Sequence, residues 1–99
     1  MARFDVYRRA SDRGYLLDCQ SDLLGNLDTR FTVPLFLLED APKPAGRLNP
    51  IFDVEEQKVV MMTQYASAIR KRLVGTFVTS LDRKHEAIMG ALDMLLMGY

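Results

Sequence analysis

The chain of 99 residues has no tryptophan, one histidine and one cysteine. A single thiol, Cys19, excludes an intrachain disulfide and a metal site built on several thiolates. Both exclusions fit a reducing compartment, so a cytoplasmic location is expected. Charge of one sign is missing too: thirteen Lys and Arg balance thirteen Asp and Glu. Without a cationic excess, the chain is not built mainly to coat nucleic acid. Weak net repulsion also eases self-association. No apolar run reaches the ~18 residues that a membrane span needs. The nearest candidate, Ala87 to Met97, is short and carries Asp93. The first residues, Met-Ala-Arg-Phe-Asp-Val, alternate in polarity and are not expected to be a signal peptide. The six glycines are scattered singly, so no phosphate-cradling loop is present.

What is there is enough apolar side chain, 48% of residues, for one modest core in one domain spanning 1–99. Arg3 to Arg8 alternates with period two and predicts a strand. Ser11-Asp12-Arg13-Gly14 supplies a turn, and Tyr15 to Gln20 returns as the second strand of a hairpin. Leu23 and Leu24 sit in a loop or bulge between Ser21-Asp22 and Gly25-Asn26. Arg30 to Leu38 is a longer strand whose Pro34, lacking an N–H, is expected at an edge or a bulge. Glu39 to Arg47, with two prolines and a glycine, is the clearest loop. Leu48 to Val54 and Lys58 to Gln64 predict strands about a Glu55-Glu56-Gln57 turn, and Ala66 to Phe77 predicts mostly strand.

The strongest element closes the sequence. Asp82 is placed to cap a helix running to about Met97, and Gly98 to end it. Leu81, His85, Ile88, Leu92, Leu95 and Tyr99 make one stripe at steps of four and three. Ala87, Met89, Ala91, Met94, Leu96 and Met97 are apolar as well, so the last turns are hydrophobic nearly all round. A helix packed on its own sheet and then covered by a second copy of the chain explains this, which assigns Met94 and Leu96 to a homodimer interface.

Reaction chemistry is hard to assemble from these residues. His85 lies on the helix stripe and is expected to be structural and partly buried, Cys19 a small buried thiol, and Glu55-Glu56 a solvated turn. Arg70-Lys71-Arg72 is the main basic cluster, without an interleaved aromatic for base stacking. Arg8-Arg9 ends the first strand as an exposed contact patch. The residues offer binding surfaces and no reaction centre, hence a non-enzyme, with no cofactor and no metal expected.

Several segments together resemble the CcdB family of toxins. Asp18-Cys19-Gln20-Ser21-Asp22-Leu23-Leu24 is similar to the family's second strand and the loop after it, and Val33-Pro34-Leu35 to its apolar-Pro-Leu strand. Leu48-Asn49-Pro50-Ile51, Met61-Met62-Thr63, Leu73-Val74-Gly75, Ala91-Leu92-Asp93 and Met97-Gly98-Tyr99 continue in the same order and spacing. The resemblance implies a mainly β fold: an SH3-like five-stranded antiparallel sheet, a small extra sheet and a C-terminal helix, dimerised through an apolar face. It implies a toxin of a type II toxin–antitoxin module that binds the GyrA subunit of DNA gyrase and traps the cleaved-DNA complex, inhibiting replication and transcription. The family's gyrase contacts fall on Leu23, Leu24, Asp93, Met97, Gly98 and Tyr99. A CcdA-like antitoxin with a disordered tail is the implied second partner. We assign its contact to the charged first hairpin, with Arg8, Arg9, Arg13 and Asp18. DNA is expected only through the toxin–antitoxin complex, as a repressor, and no membrane is expected.

The sequence departs from the family at one telling place. Where the family stacks a tryptophan on a gyrase arginine, this chain has Met97, whose thioether lacks the ring quadrupole. Tyr99 offers an aromatic face two residues later. The alternatives are a MazF/Kid-like endoribonuclease, against which the neutral charge and single helix-borne histidine count, and a dimeric degenerate toxin without a gyrase activity.

Overall fold

The computed structural model describes residues 1–10 and 12–99; Ser11, expected in the first turn, lies outside the described residues. The longest strand organises the rest. Thr29–Leu37 (β3) is rich in β-branched and aromatic side chains and pairs through Thr32 to Leu35 with Tyr15–Asp18 (β2). Its other side has two successive partners: Ser67–Arg70 (β6) opposes Thr29 to Thr32, and Gln57–Met61 (β5) opposes Leu35 to Leu37. Asp5–Arg8 (β1), Ile51–Val54 (β4) and Phe77–Ser80 (β7) complete one antiparallel sheet in the order β4-β5-β3-β2-β1-β7, with β6 beside β3. The expected mainly β fold with a C-terminal helix is therefore the observed one. Among the described residues the strands number seven, in one curled sheet left open between β4 and β7.

Pro34 is not at a sheet edge. It pairs with Leu16 inside the sheet, and its carbonyl accepts the Met62 N–H at 3.0 Å. A strand residue's N–H and C=O point to the same side, so the missing N–H faces the junction where β5 ends and β6 has not begun. The Ala66 to Phe77 expectation holds in part: β6 is a strand, Lys71–Leu73 is a 3-10 turn, and β7 starts at Phe77. A Cβ on Gly75 would collide with the Arg8 carbonyl, which is why a glycine stands where the chain returns beside β1.

The inward face of the sheet carries Val6, Leu17, Val33, Leu35, Val59 and Met61, all fully buried. Over them lies the helix His85–Met97 (α1), which contributes Ile88, Ala91 and Leu92. Asp82 does not cap it. Asp82–Lys84 is a 3-10 turn, and the Ser80 hydroxyl accepts the Asp82 N–H at 3.2 Å. Gly98 ends the helix as expected, at φ 83°, donating its N–H to the Met94 carbonyl at 3.0 Å. Phe4, at φ 73°, joins three elements: its N–H donates to the Asp18 carbonyl, and its own carbonyl accepts from Leu81 at 2.8 Å. That bond seats the start of the helix against the first strand.

Candidate binding surfaces

The helix stripe predicted as continuous changes character along its length. Leu81, Ile88 and Leu92 are buried, whereas Leu95 and Tyr99 are exposed. The helix therefore leaves the sheet towards its C-terminus, and its last turn overhangs. There Leu96 is 74% exposed, Met97 60% and Tyr99 71%. Asp93, Leu96 and Met97, spaced by three and four, share that outer face, and Met94 is half-buried beside it. The left-handed turn at Gly98 directs Tyr99 off the helical path. His85, expected to be partly buried, is exposed at the other end, with its ring 6.5 Å from that of Phe4.

Leu23 and Leu24 lie in a 3-10 turn, Asp22–Leu24, whose first free N–H groups need partners. Ser21 supplies one: its hydroxyl accepts the Leu23 N–H at 3.2 Å. The Leu24 carbonyl accepts from the Gln20 amide at 2.8 Å. The turn leaves Leu23 93% exposed. Asp22 accepts the Arg3 N–H at 2.8 Å and lines one cleft with His85, at the start of α1. The tail lies about 18 Å further along, at 1.5 Å per helical residue. Within one protomer the structure thus groups Asp93 and Met97 with the tail, and keeps Leu23 and Leu24 apart from them.

The charged hairpin differs from its expectation at two residues, since Arg9, expected in an exposed patch, is half-buried and Asp18 is buried outright. Arg8 donates to Glu55 at 2.6 Å, Arg9 lies 3.5 Å from Asp12 with its guanidinium 5.5 Å above the Phe36 ring, and Arg13 reaches Glu39 at 3.2 Å and Asp40 at 2.9 Å. Asp18, assigned with them as exposed charge, is instead fully buried. It accepts from Arg30 Nε at 3.1 Å and Nη2 at 2.5 Å, and both side chains are essentially inaccessible. Asp18 also accepts the Gln20 N–H at 3.0 Å. Occupied and covered, it presents nothing to a partner. Sequence reasoning missed Arg30, twelve residues away. The available signal was a lone arginine opening an apolar strand.

Glu55 and Glu56 form a two-residue hairpin turn with φ values of 51° and 65°, conformations that suit Asn or Gly better. Glu55 is not simply solvated: it accepts from the Tyr15 hydroxyl at 2.8 Å as well as from Arg8. These two hydrogen bonds, Tyr15 first, hold its carboxyl below the usual range. Burial, with Asp18 adjacent, pushes the Cys19 thiol up to about 12, so it is inert as a nucleophile at neutral pH. Among the described residues, no three or more His, Cys, Asp or Glu are grouped to hold a metal ion. No described helix is long and apolar enough to cross a membrane.

A curled sheet bearing an exposed apolar helix end is the setting in which the comparison with known families is informative. The model of one family, described as CcdB protein, matches residues 3–98. The match takes in every strand, the whole helix and the overhanging turn up to Gly98, and the chain therefore belongs to the CcdB family.

Proposed function

We propose that this protein is the toxin of a type II toxin–antitoxin module: it binds the GyrA subunit of DNA gyrase, holds the enzyme with cleaved DNA, and catalyses nothing itself. The observation that carries this reading is the helix end. Ile88, Ala91 and Leu92 fix the helix body in the core, while Met97 and Tyr99 stand in solvent. Covering an exposed Met or Tyr of this kind yields roughly 1.5–3 kcal/mol for each side chain fully buried. Such a surface has value only against a partner. Asp93 and Gly98 belong to the same contact, with Leu23 and Leu24 as a second apolar patch.

The active form in this reading is a homodimer formed through Met94, Leu96 and the neighbouring apolar positions. A two-fold interface doubles every contact patch, and gives gyrase two tails to engage. A CcdA-like antitoxin neutralises the toxin with a disordered tail that meets Arg8, Arg9 and Arg13; Asp18 leaves that set. DNA is reached only through the toxin–antitoxin complex, as a repressor.

The test is a gyrase cleavage reaction run beside an RNA digest with the same purified protein. Accumulation of cleaved DNA with intact RNA is expected. Intact DNA and degraded RNA would replace this reading with a nuclease.

A further inference from the structure

The turn that carries Leu23 and Leu24 puts nothing of its own into the core. None of Asp22, Leu23 and Leu24 is buried, and Gly25 to Thr29 after them are exposed or half-buried. Hydrogen bonds, not packing, therefore fix where the two leucines stand. Inside the turn the Leu24 N–H donates to the Ser21 carbonyl at 3.0 Å, and the Gly25 N–H to that of Asp22 at 3.2 Å. Those bonds shape the turn without attaching it to the sheet. Further along, the Lys71 N–H donates to the Asp28 carbonyl at 2.8 Å, which ties down the loop only four residues past Leu24.

The leucines themselves are attached to the sheet through Gln20, which is buried. β2 ends at Asp18, and the Cys19 N–H still donates to the Phe31 carbonyl at 2.9 Å. The Phe31 N–H donates to the Gln20 side-chain oxygen at 2.9 Å, and the nitrogen of the same amide donates to the Leu24 carbonyl at 2.8 Å. Turned over, the amide would set oxygen against carbonyl and NH2 against N–H, so the two bonds fix one orientation. The Gln20 backbone is held as well: its N–H donates to Asp18 Oδ1 at 3.0 Å, while Asp18 Oδ2 accepts from the buried Arg30. A continuous set of hydrogen bonds thus joins the buried ion pair to the carbonyl of Leu24.

We propose that Gln20 is a positioning residue of the gyrase contact: without touching gyrase, it holds the Leu23-Leu24 turn against β3 so that both leucines meet the enzyme already in place. This rests on the toxin reading above and adds to it the group that orders its second apolar patch. Leucines on an untethered turn would have to be immobilised as gyrase binds, and the ordering cost would be subtracted from affinity. Glutamine suits the task because one side chain carries both the acceptor that Phe31 needs and the donor that Leu24 needs. Methionine at the same position would fill similar space and supply neither.

Two measurements on the full-length protein test this. In the wild type, backbone amide order parameters at Leu23 and Leu24 should be about 0.85, the level of rigid backbone, and values under about 0.6 would overturn the proposal by themselves. Titration with the GyrA subunit should then show Gln20→Met binding roughly three- to tenfold more weakly than wild type, with circular dichroism confirming equal folding. In a Leu23→Ala, Leu24→Ala background the same substitution should change nothing further, because no leucine is left to position. A purely structural role would lower binding alike in both backgrounds. Should Gln20→Met fail to fold, Gln20→Glu takes its place, since it still accepts from Phe31 and cannot donate to Leu24; the same selective loss is expected. Undiminished binding by the Gln20 variant, an equal loss in both backgrounds, or wild-type affinity in the Leu23→Ala, Leu24→Ala protein would overturn the positioning role alone. Wild type that does not bind GyrA would overturn the toxin reading, and the positioning role with it.

Discussion

A single side chain carries the largest local consequence in this fold. Asp18 and Arg30 form an ion pair with neither partner accessible, so removing one charge leaves the other buried and unmatched. Asp18→Asn should destabilise the protein by about 3–5 kcal/mol, seen as a lower urea midpoint. Replacing the pair together, Asp18→Leu with Arg30→Met, should cost much less. The pairing was not legible in the sequence. Polar Asp18 in an alternating strand has the pattern of a solvent-facing residue, and the register that sets it near Arg30 is a tertiary fact. Glu55 is a second case, since a charged turn residue gives no local sign of Tyr15 and Arg8 beside it. Its carboxyl is held below the ordinary range in the folded state, so its contribution is present at neutral pH and above. That contribution fades as pH falls through the unfolded and then the folded pKa. The gap in thermal midpoint between wild type and Glu55→Gln should therefore be small, solvent screening both partners, but larger at pH 7 than at pH 2.

Single elements show where periodicity informs and where it does not. The Arg3-to-Arg8 alternation, the β3 run and the helix with its Gly98 stop were all legible, because each follows from local spacing and one special residue. Pro34 was legible only as an interruption: its missing N–H falls between two partner strands, an arrangement that depends on the β5–β6 connection. The helix stripe likewise gave the buried positions Ile88 and Leu92 but not the point at which the helix leaves the sheet. Of the candidate site, Asp93, Met97, Leu23 and Leu24 are all exposed, and the distance between the two leucines and the helix end was not foreseeable. The β4–β5 turn makes its own prediction. Glu56 adopts a left-handed conformation that costs an L side chain about 1–2 kcal/mol, and its side chain is exposed to solvent. Glu56→Gly should raise stability by up to about 1 kcal/mol, after the entropy glycine adds to the unfolded chain, measured by chemical denaturation.

At the scale of the molecule, one observation bears on the proposed function: the helix is anchored through its middle and apolar in solvent at its C-terminal end. A monomer gains nothing from exposing Leu95, Leu96, Met97 and Tyr99 together. If a second protomer covers part of this surface, Leu96→Asp, with Met94→Asp, should shift sedimentation equilibrium from dimer to monomer or unfold the chain. A folded wild-type monomer at micromolar concentration would contradict the dimer. The remaining apolar surface is the tail, and with it the claim on which the whole account depends. Gyrase binding by wild type, by a form lacking Gly98 and Tyr99, and by Met97→Trp, with circular dichroism to confirm the fold, tests that claim most directly. Truncation should abolish binding while leaving the helix and sheet intact, because both residues lie beyond the last helical turn. Met97→Trp should tighten binding by roughly five- to thirty-fold, the ~1–2 kcal/mol that an indole face adds against a desolvated guanidinium. Equal binding by all three proteins would contradict the account, since the overhanging helix end would then not be the surface that gyrase meets.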